Sequence, residues 1–238
     1  FPKGTVPNGH AIPFHFYDAF MKHNGFYEQV TALMNDPKFK EDREIQVDAL
    51  KKFRGDIKDG DLPDWMRTAL TELHQEYPRG QSLRCRSSTN NEDLEGFSGA
   101  GLYESFTHKH DEGHLSKSIK QVFASLWNYR AFEEREFYRI DHLSAAMGIL
   151  VHPNYKDEQA NGVAVTDDIL YETEGTYYVN VQVGEDLVTN PEGDAVPEET
   201  LLDWRENEKD QSMMKSNLTK KEAILNVEQR DQLREFLS

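Results

Sequence analysis

The hydrophobic period of the chain changes at Leu83. Before it, apolar residues recur every three or four positions; at Leu83-Arg84-Cys85-Arg86 they alternate with charged ones. A 3.6-residue period buries one stripe of a helix, and a period of two buries one face of a strand. The chain must therefore combine helices with sheet. Phe16, Phe20, Met21, Phe26, Val30 and Leu33 predict one or two helices between residues 12 and 34, broken near Gly25. Residues 39–54 and 63–76 carry two more amphipathic patterns, with Pro63 at a first helical position and Tyr77-Pro78-Arg79-Gly80 as a stop. Ile119, Val122, Phe123, Leu126 and Trp127 predict a helix over 115–140, and residues 219–237 predict a closing one.

Strands are expected at 81–88, 145–152, 161–166 and 176–183, with a short one at 186–189. In the first of these, alternation puts Arg84 and Arg86 on one face. Helices early and strands later read as α+β, with residues 1–79 mainly helical and residues 80–238 the strand-rich part of the same domain.

Charge and composition remove several functions. The formal net charge of −16 argues against binding nucleic acid through phosphate contacts. No apolar run reaches the roughly 20 residues needed to cross a bilayer, so no membrane partner is expected. The opening FPKGTVPNGH has no apolar core of a signal peptide. Cys85 is the single cysteine, which excludes an internal disulfide and fits a reducing, cytoplasmic setting. A start without Met and an end inside a helical pattern suggest a piece of a longer protein.

The segment RCRSSTNNEDLEGFSGAGLYESF, residues 84–106, concentrates the chemistry. Guanidinium forks match phosphate oxygens. Small residues let backbone N–H groups turn toward an anion, and the hydroxyls of Ser98 and Ser105 add donors. Glu92 and Asp93 balance the arginines or lie near a metal. The segment reads as a phosphate-handling strand and loop; structural ion pairs and plain loop glycines remain the alternative. His108, His110 and His114 in HKHDEGH read as a solvated loop before a helix rather than a metal site, and no metal ligands are assigned in the chain. Cys85 is expected to be a buried, inert thiol, and Phe123 and Trp127 to be packing residues.

The order of these residues resembles the N-terminal nucleotide-binding domain of the phosphoenolpyruvate synthase and pyruvate phosphate dikinase family. RSSTNNEDLEGFSGAGLYESF is similar to the family's Arg-Ser-Ser-Ala, Glu-Asp-Leu and Ser-x-Ala-Gly-x-x-x-Thr run without a gap. GTVPNGHAIP, SIKQVFASLWNYRAFEEREFYR, ILVHPNYKDEQANGVAVTDD and NVQVGEDLVTNPEG resemble further family segments in the same order. The resemblance implies an ATP-grasp-like fold of two subdomains, with mixed or antiparallel sheet flanked by helices and ATP between them. It implies an ATP-dependent phosphotransferase. A phosphoryl group passes from ATP to a histidine on a separate swivelling domain, then to pyruvate or another acceptor.

By position, the resemblance assigns nucleotide contacts to Arg86, Gly101, Ser105, Val151, His152, Asn154 and Glu185. Ser105 stands where the family usually has threonine, and His152 where it usually has glutamine. Val-Gln-Val at 181–183 replaces the usual Gly-Leu-Gly. The family's ATP lysine is expected upstream of Phe1, and its metal-binding glutamate beyond Ser238. ATP and magnesium are the expected cofactors, with the metal ligands outside this stretch, which by itself is expected to be inactive. A divergent, non-catalytic module that binds a nucleotide or a regulatory partner is the second reading.

Overall fold

The computed structural model describes residues 5–94, 97–99, 101–109, 111–155, 158–168, 170–184, 188 and 194–238. The chain forms two compact units, residues 4–154 and residues 155–238. The change from helices to sheet near residue 79 falls inside the first.

The first unit opens with β1 (His10–Ile12), α1 (Phe14–His23) and α2 (Phe26–Asn35). Gly25 separates the two helices at φ 66°, a left-handed conformation that a Cβ disfavours. Asn24 braces this corner: its Nδ2 donates to the carbonyls of Phe20 and Asp61, both at 2.9 Å. The pattern expected at 39–54 is split into α3 (Pro37–Glu41) and α4 (Arg43–Asp59). Each starts at an aspartate cap: Asp36 accepts from Lys38 N–H, and Asp42 from Glu44 and Ile45 N–H. In α5 (Asp64–Gln75), Pro63 is the capping residue, one place before the expected position.

β2 (Leu83–Thr89), the two-residue strands β3 (Asp93–Leu94) and β4 (Phe97–Ser98), and β5 (Phe106–His108) follow. The helix expected over 115–140 is two, α6 (Ser116–Ser125) and α7 (Tyr129–Phe137), before β6 (Met147–Pro153). Asn128 breaks it. Its Oδ1 accepts from Ala131 N–H at 2.8 Å, while its Nδ2 donates to the carbonyls of Leu102 and Ser125. A short amide side chain that satisfies backbone groups on both sides competes with a continuous helix.

The first sheet runs β1-β6-β2-β5, antiparallel throughout. Its core is aromatic: Tyr17, Phe20, Phe53, Phe123 and Trp127 are fully buried, and Trp127 Nε1 donates to Tyr17 Oη at 2.8 Å. The histidine-rich segment departs from the expected solvated loop. Leu83 pairs with His108, so β5 turns that imidazole into the interior, where Ser118 Oγ lies 3.0 Å from Nδ1. His110 lies outside the described residues.

The second unit holds β7 (Ala160–Val165), β8 (Thr176–Val183), β9 (Glu198–Asp203), β10 (Gln211–Met214) and α8 (Val227–Leu237). The four strands form an antiparallel meander in the order β10-β9-β8-β7. The expected strand at 186–189 lies outside the described residues except Val188, which is not in a strand. The closing helix starts at 227 rather than 219. Asn226 and Gln229 form a reciprocal capping box, and the preceding Ile224 N–H is held by Glu198 Oε2 at 2.8 Å. Tyr177, Val179, Val181 and Leu202 form a small core with Ile224, Leu225, Leu233 and Leu237. Helices with two antiparallel sheets make the chain α+β.

Candidate functional site

In the first sheet, Arg84 lies opposite His152, and Arg86 opposite Leu150. Opposed residues of an antiparallel pair share a face. One face therefore carries Arg84, Arg86, Leu150 and His152, joined by Thr107, which pairs with Arg84 from β5. Leu83, Cys85, Ile149 and Val151 fill the other, buried face. The alternation read from the sequence is what separates them.

Arg86 is exposed, and its Nε donates to His152 Nε2 at 3.0 Å. His152 Nδ1 lies 2.8 Å from the Pro153 carbonyl. An acceptor at Nε2 and a donor at Nδ1 fix the neutral Nδ1–H tautomer. With Nε engaged, the two terminal nitrogens of Arg86 have no hydrogen-bond partner among the described residues. Arg84 is half-buried, and its Nη1 donates to Thr107 Oγ1 at 3.0 Å. Burial, and next the Arg86 charge, hold Arg84 below the usual arginine range. Among the described residues, no carboxylate forms a salt bridge with either arginine, although the chain carries 43 acidic residues against 27 basic ones. Glu92, one of the two acids that could have balanced the arginines, is not paired with either of them.

The neighbouring loop is tied down at its C-terminal half. Gly101 adopts φ 75°. Leu102 N–H donates to the Gly99 carbonyl, Glu104 pairs with Arg54 at 2.6 Å, and Ser105 Oγ accepts from Ser87 N–H at 3.2 Å. Ser105 therefore already serves the edge of β2. The side chains of Asp93 and Ser98 lie outside the described residues. Glu92 Oε2 accepts from Thr89 N–H at 3.3 Å, closing the turn after β2.

The remaining expected contacts divide. Val151 is wholly buried, and its carbonyl accepts from Tyr77 Oη at 3.1 Å. Asn154 closes the end of the sheet, its N–H donating to the Ser82 carbonyl at 2.7 Å. Glu185 lies outside the described residues. The structure thus joins Arg86 to His152 and brings Ser105 to β2, while the Val151 side chain points away from them. Thr107 and Leu150 were missed as members of the exposed face. A strand at 106–108 is too short for its period to be seen. Burial pushes the Cys85 thiol up to about 12, which makes it inert at neutral pH. Among the described residues, no group of three or more His, Cys, Asp or Glu side chains is placed to hold a metal ion.

The pattern of the pyruvate phosphate dikinase AMP/ATP-binding domain matches residues 4–238. The chain is 29% identical over 164 residues to the phosphoenolpyruvate synthase of Deinococcus radiodurans, covering 68% of this chain and 21% of that protein. It is 30% identical over 176 residues to the phosphoenolpyruvate synthase of Neisseria meningitidis, covering 70% and 22%. With the phosphoenolpyruvate synthase of Aquifex aeolicus it shares 23% identity over 252 aligned positions, covering 97% and 29%. The chain spans between 21% and 29% of the length of these relatives.

Proposed function

Because the chain belongs to the pyruvate phosphate dikinase AMP/ATP-binding domain family, we propose that it is the ATP-binding part of a phosphoenolpyruvate synthase-like phosphotransferase. The observation that carries this reading is the exposed Arg86 fork, oriented by His152 and free of carboxylates among the described residues. Arg86 and Arg84 receive the phosphates. Pinning Nε on His152 leaves both Arg86 Nη groups for bidentate contact, so the side chain is ordered before the nucleotide arrives. Gly101 permits close approach of the loop backbone, and Ser105 keeps a hydroxyl proton to donate. His152, Val151 and Asn154 lie on the adenine side, where Val151 contributes backbone only. Glu185 is assigned a nucleotide contact by its place in the family pattern.

In the whole protein the phosphoryl group moves to a histidine on a separate swivelling domain and then to pyruvate or another acceptor. Magnesium, when bound with ATP, neutralises charge on the phosphates. By itself, the 238-residue chain binds nucleotide without turning it over. Among the described residues no helix is long and apolar enough to cross a membrane, and a buried, unpaired cysteine accords with a cytoplasmic setting.

Calorimetry with ATP tests the assignment. Arg86→Ala is expected to weaken binding by about tenfold or more, since a charge-assisted hydrogen bond contributes roughly 1.5–3 kcal/mol. His152→Phe is expected to weaken it less, by releasing the fork. Unchanged affinity in Arg86→Ala would remove this face as the phosphate site.

A further inference from the structure

A second polar cavity lies elsewhere in the first unit. A cavity of about 550 Å³ is lined by His74, Gln75, Arg79, Gly80, Gly113 and His114, among others, and no carboxylate is among its lining residues. In a chain of net charge −16, that lining needs an explanation.

The three histidines of this region divide by their hydrogen bonds. Thr71 Oγ1 donates to the Arg67 carbonyl at 2.8 Å, so at 3.0 Å it must accept from His114 Nε2. His114 Nδ1 accepts from Ser116 N–H. His108 Nε2 faces the Gly113 carbonyl at 3.3 Å, and Ser118 Oγ supplies the donor at Nδ1. Both rings are therefore neutral Nε2–H tautomers with every nitrogen engaged. His74 differs. Its ring stands edge-on to His108 with centroids 5.3 Å apart, and among the described residues neither of its nitrogens has a hydrogen-bond partner. Arg79, on the rim, has no carboxylate partner there either. Burial, and next the neighbouring His74, hold His108 below the ordinary histidine value. Glu112 lies 4.0 Å from His108 Nδ1 and 4.0 Å from Lys117 Nζ. Glu76, at the end of α5, is taken by His10 at 2.9 Å.

We propose that this cavity is an anion site, separate from the Arg86 face, where protonated His74 and the Arg79 guanidinium together hold a phosphate dianion or a small phosphomonoester. Two positive groups match two negative charges, and the Gln75 amide adds a neutral donor. A carboxylate would use only half of that charge.

The test follows the histidine ring resonances of the full chain by NMR during titration with inorganic phosphate, with acetate and sulfate as parallel arms. Saturable movement of the His74 signals is expected with phosphate and with sulfate; sulfate, a dianion at both pH values, is expected to bind more tightly at pH 6 than at pH 8, because the imidazole must take up a proton. Arg79→Gln is expected to weaken this by about tenfold, the loss of one charge-assisted contact. His74→Gln should abolish the pH dependence, while ATP binding at the Arg86 face remains unchanged in both variants. His108 signals report that the fold is intact. The absence of a saturable shift would overturn the site. So would a response to acetate equal to that with phosphate, or an Arg79→Gln variant that binds as the parent does.

Discussion

The two units bury arginine in opposite ways. In the first, Arg135 is wholly buried, its Nε donates to His142 Nδ1 at 3.0 Å, and its guanidinium lies 5.5 Å from the Trp127 ring centre. No carboxylate salt-bridges to it among the described residues. In the second, Arg234 is tied to Asp210 at 2.6 Å, to Asp231, and to the Asp203 carbonyl at 2.5 Å, with Arg230 3.2 Å from the same Asp210. Polarizable rings surround the first charge, and opposite charges surround the second. An aromatic core of five fully buried rings has the bulk to exclude water around a cation. A core built on Tyr177, Val179, Val181 and Leu202 does not, and it is completed by ions. The first unit should therefore depend on packing and the second on charge pairing.

The sharpest way to break that contrast is to remove packing. Phe53 stands edge-on to both Trp127 and Phe26, with centroids 5.2 and 5.9 Å away. Phe53→Ala is expected to destabilise the first unit by about 3–5 kcal/mol. Amide exchange should show the loss in α4 and α6 while β8 and β9 keep their protection.

Next come the two arginines. Arg234→Met leaves Asp210 buried beside Arg230 alone and is expected to cost ~3 kcal/mol in the second unit, since breaking a buried pair strands its partner. Arg135→Met removes a charge with no carboxylate partner and replaces it with a flexible apolar chain. Its expected cost is at most about 1 kcal/mol. Denaturant titrations of the two variants should rank them in that order; the reverse ranking would refute the contrast.

The smallest effect is pH-dependent, and it also separates the units. All nine histidines fall at or before His152. Burial, the largest cause in each, holds His108, His114 and His142 below the ordinary value of 6.5. The unfolded chain then takes up protons before the folded one does. Their contribution to stability is full above about pH 6.5 and is lost as pH falls below it. The second unit has no histidine. Its depressed groups are Asp168, where backbone N–H bonds from Tyr171, Thr173 and Leu170 outweigh desolvation, and Asp203, held down by Arg205 and Glu206 N–H. These matter only below the carboxylate value of 3.8. Burial raises Glu198, which favours its protonated form and works in the opposite direction. Between pH 7.5 and 5.5, α5, β5 and α6 should lose exchange protection, after correction for the intrinsic rate, and β8 and β9 should not. Equal losses in both units would contradict this.

What the sequence disclosed follows from how local each signal is. β2, β6, β7 and β8 carry their own alternation, and Gly25 announces the corner between α1 and α2. Asn128 and Asn226 end or start helices through bonds that compete with an otherwise sound helical pattern, so both helices read too long. Glu198-Glu199-Thr200 hides the start of β9, because burial there depends on Glu198 meeting Ile224 N–H, 26 residues away. The site shows the same limit. The shared face of Arg84 and Arg86 is legible in four residues, whereas the Arg86–His152 bond joins positions 66 apart and depends on register. The burial of His108 likewise depends on its pairing with Leu83.

The enclosure of Cys85 gives the chain an internal clock. Its thiol is wholly buried, and it is the chain's single cysteine. A thiol-reactive dye added to the native chain has nothing to modify until β2 parts from its neighbours. The rate of labelling therefore counts openings of the sheet that carries Arg86, with no engineered probe, and a cysteine introduced at any exposed position can be labelled by itself.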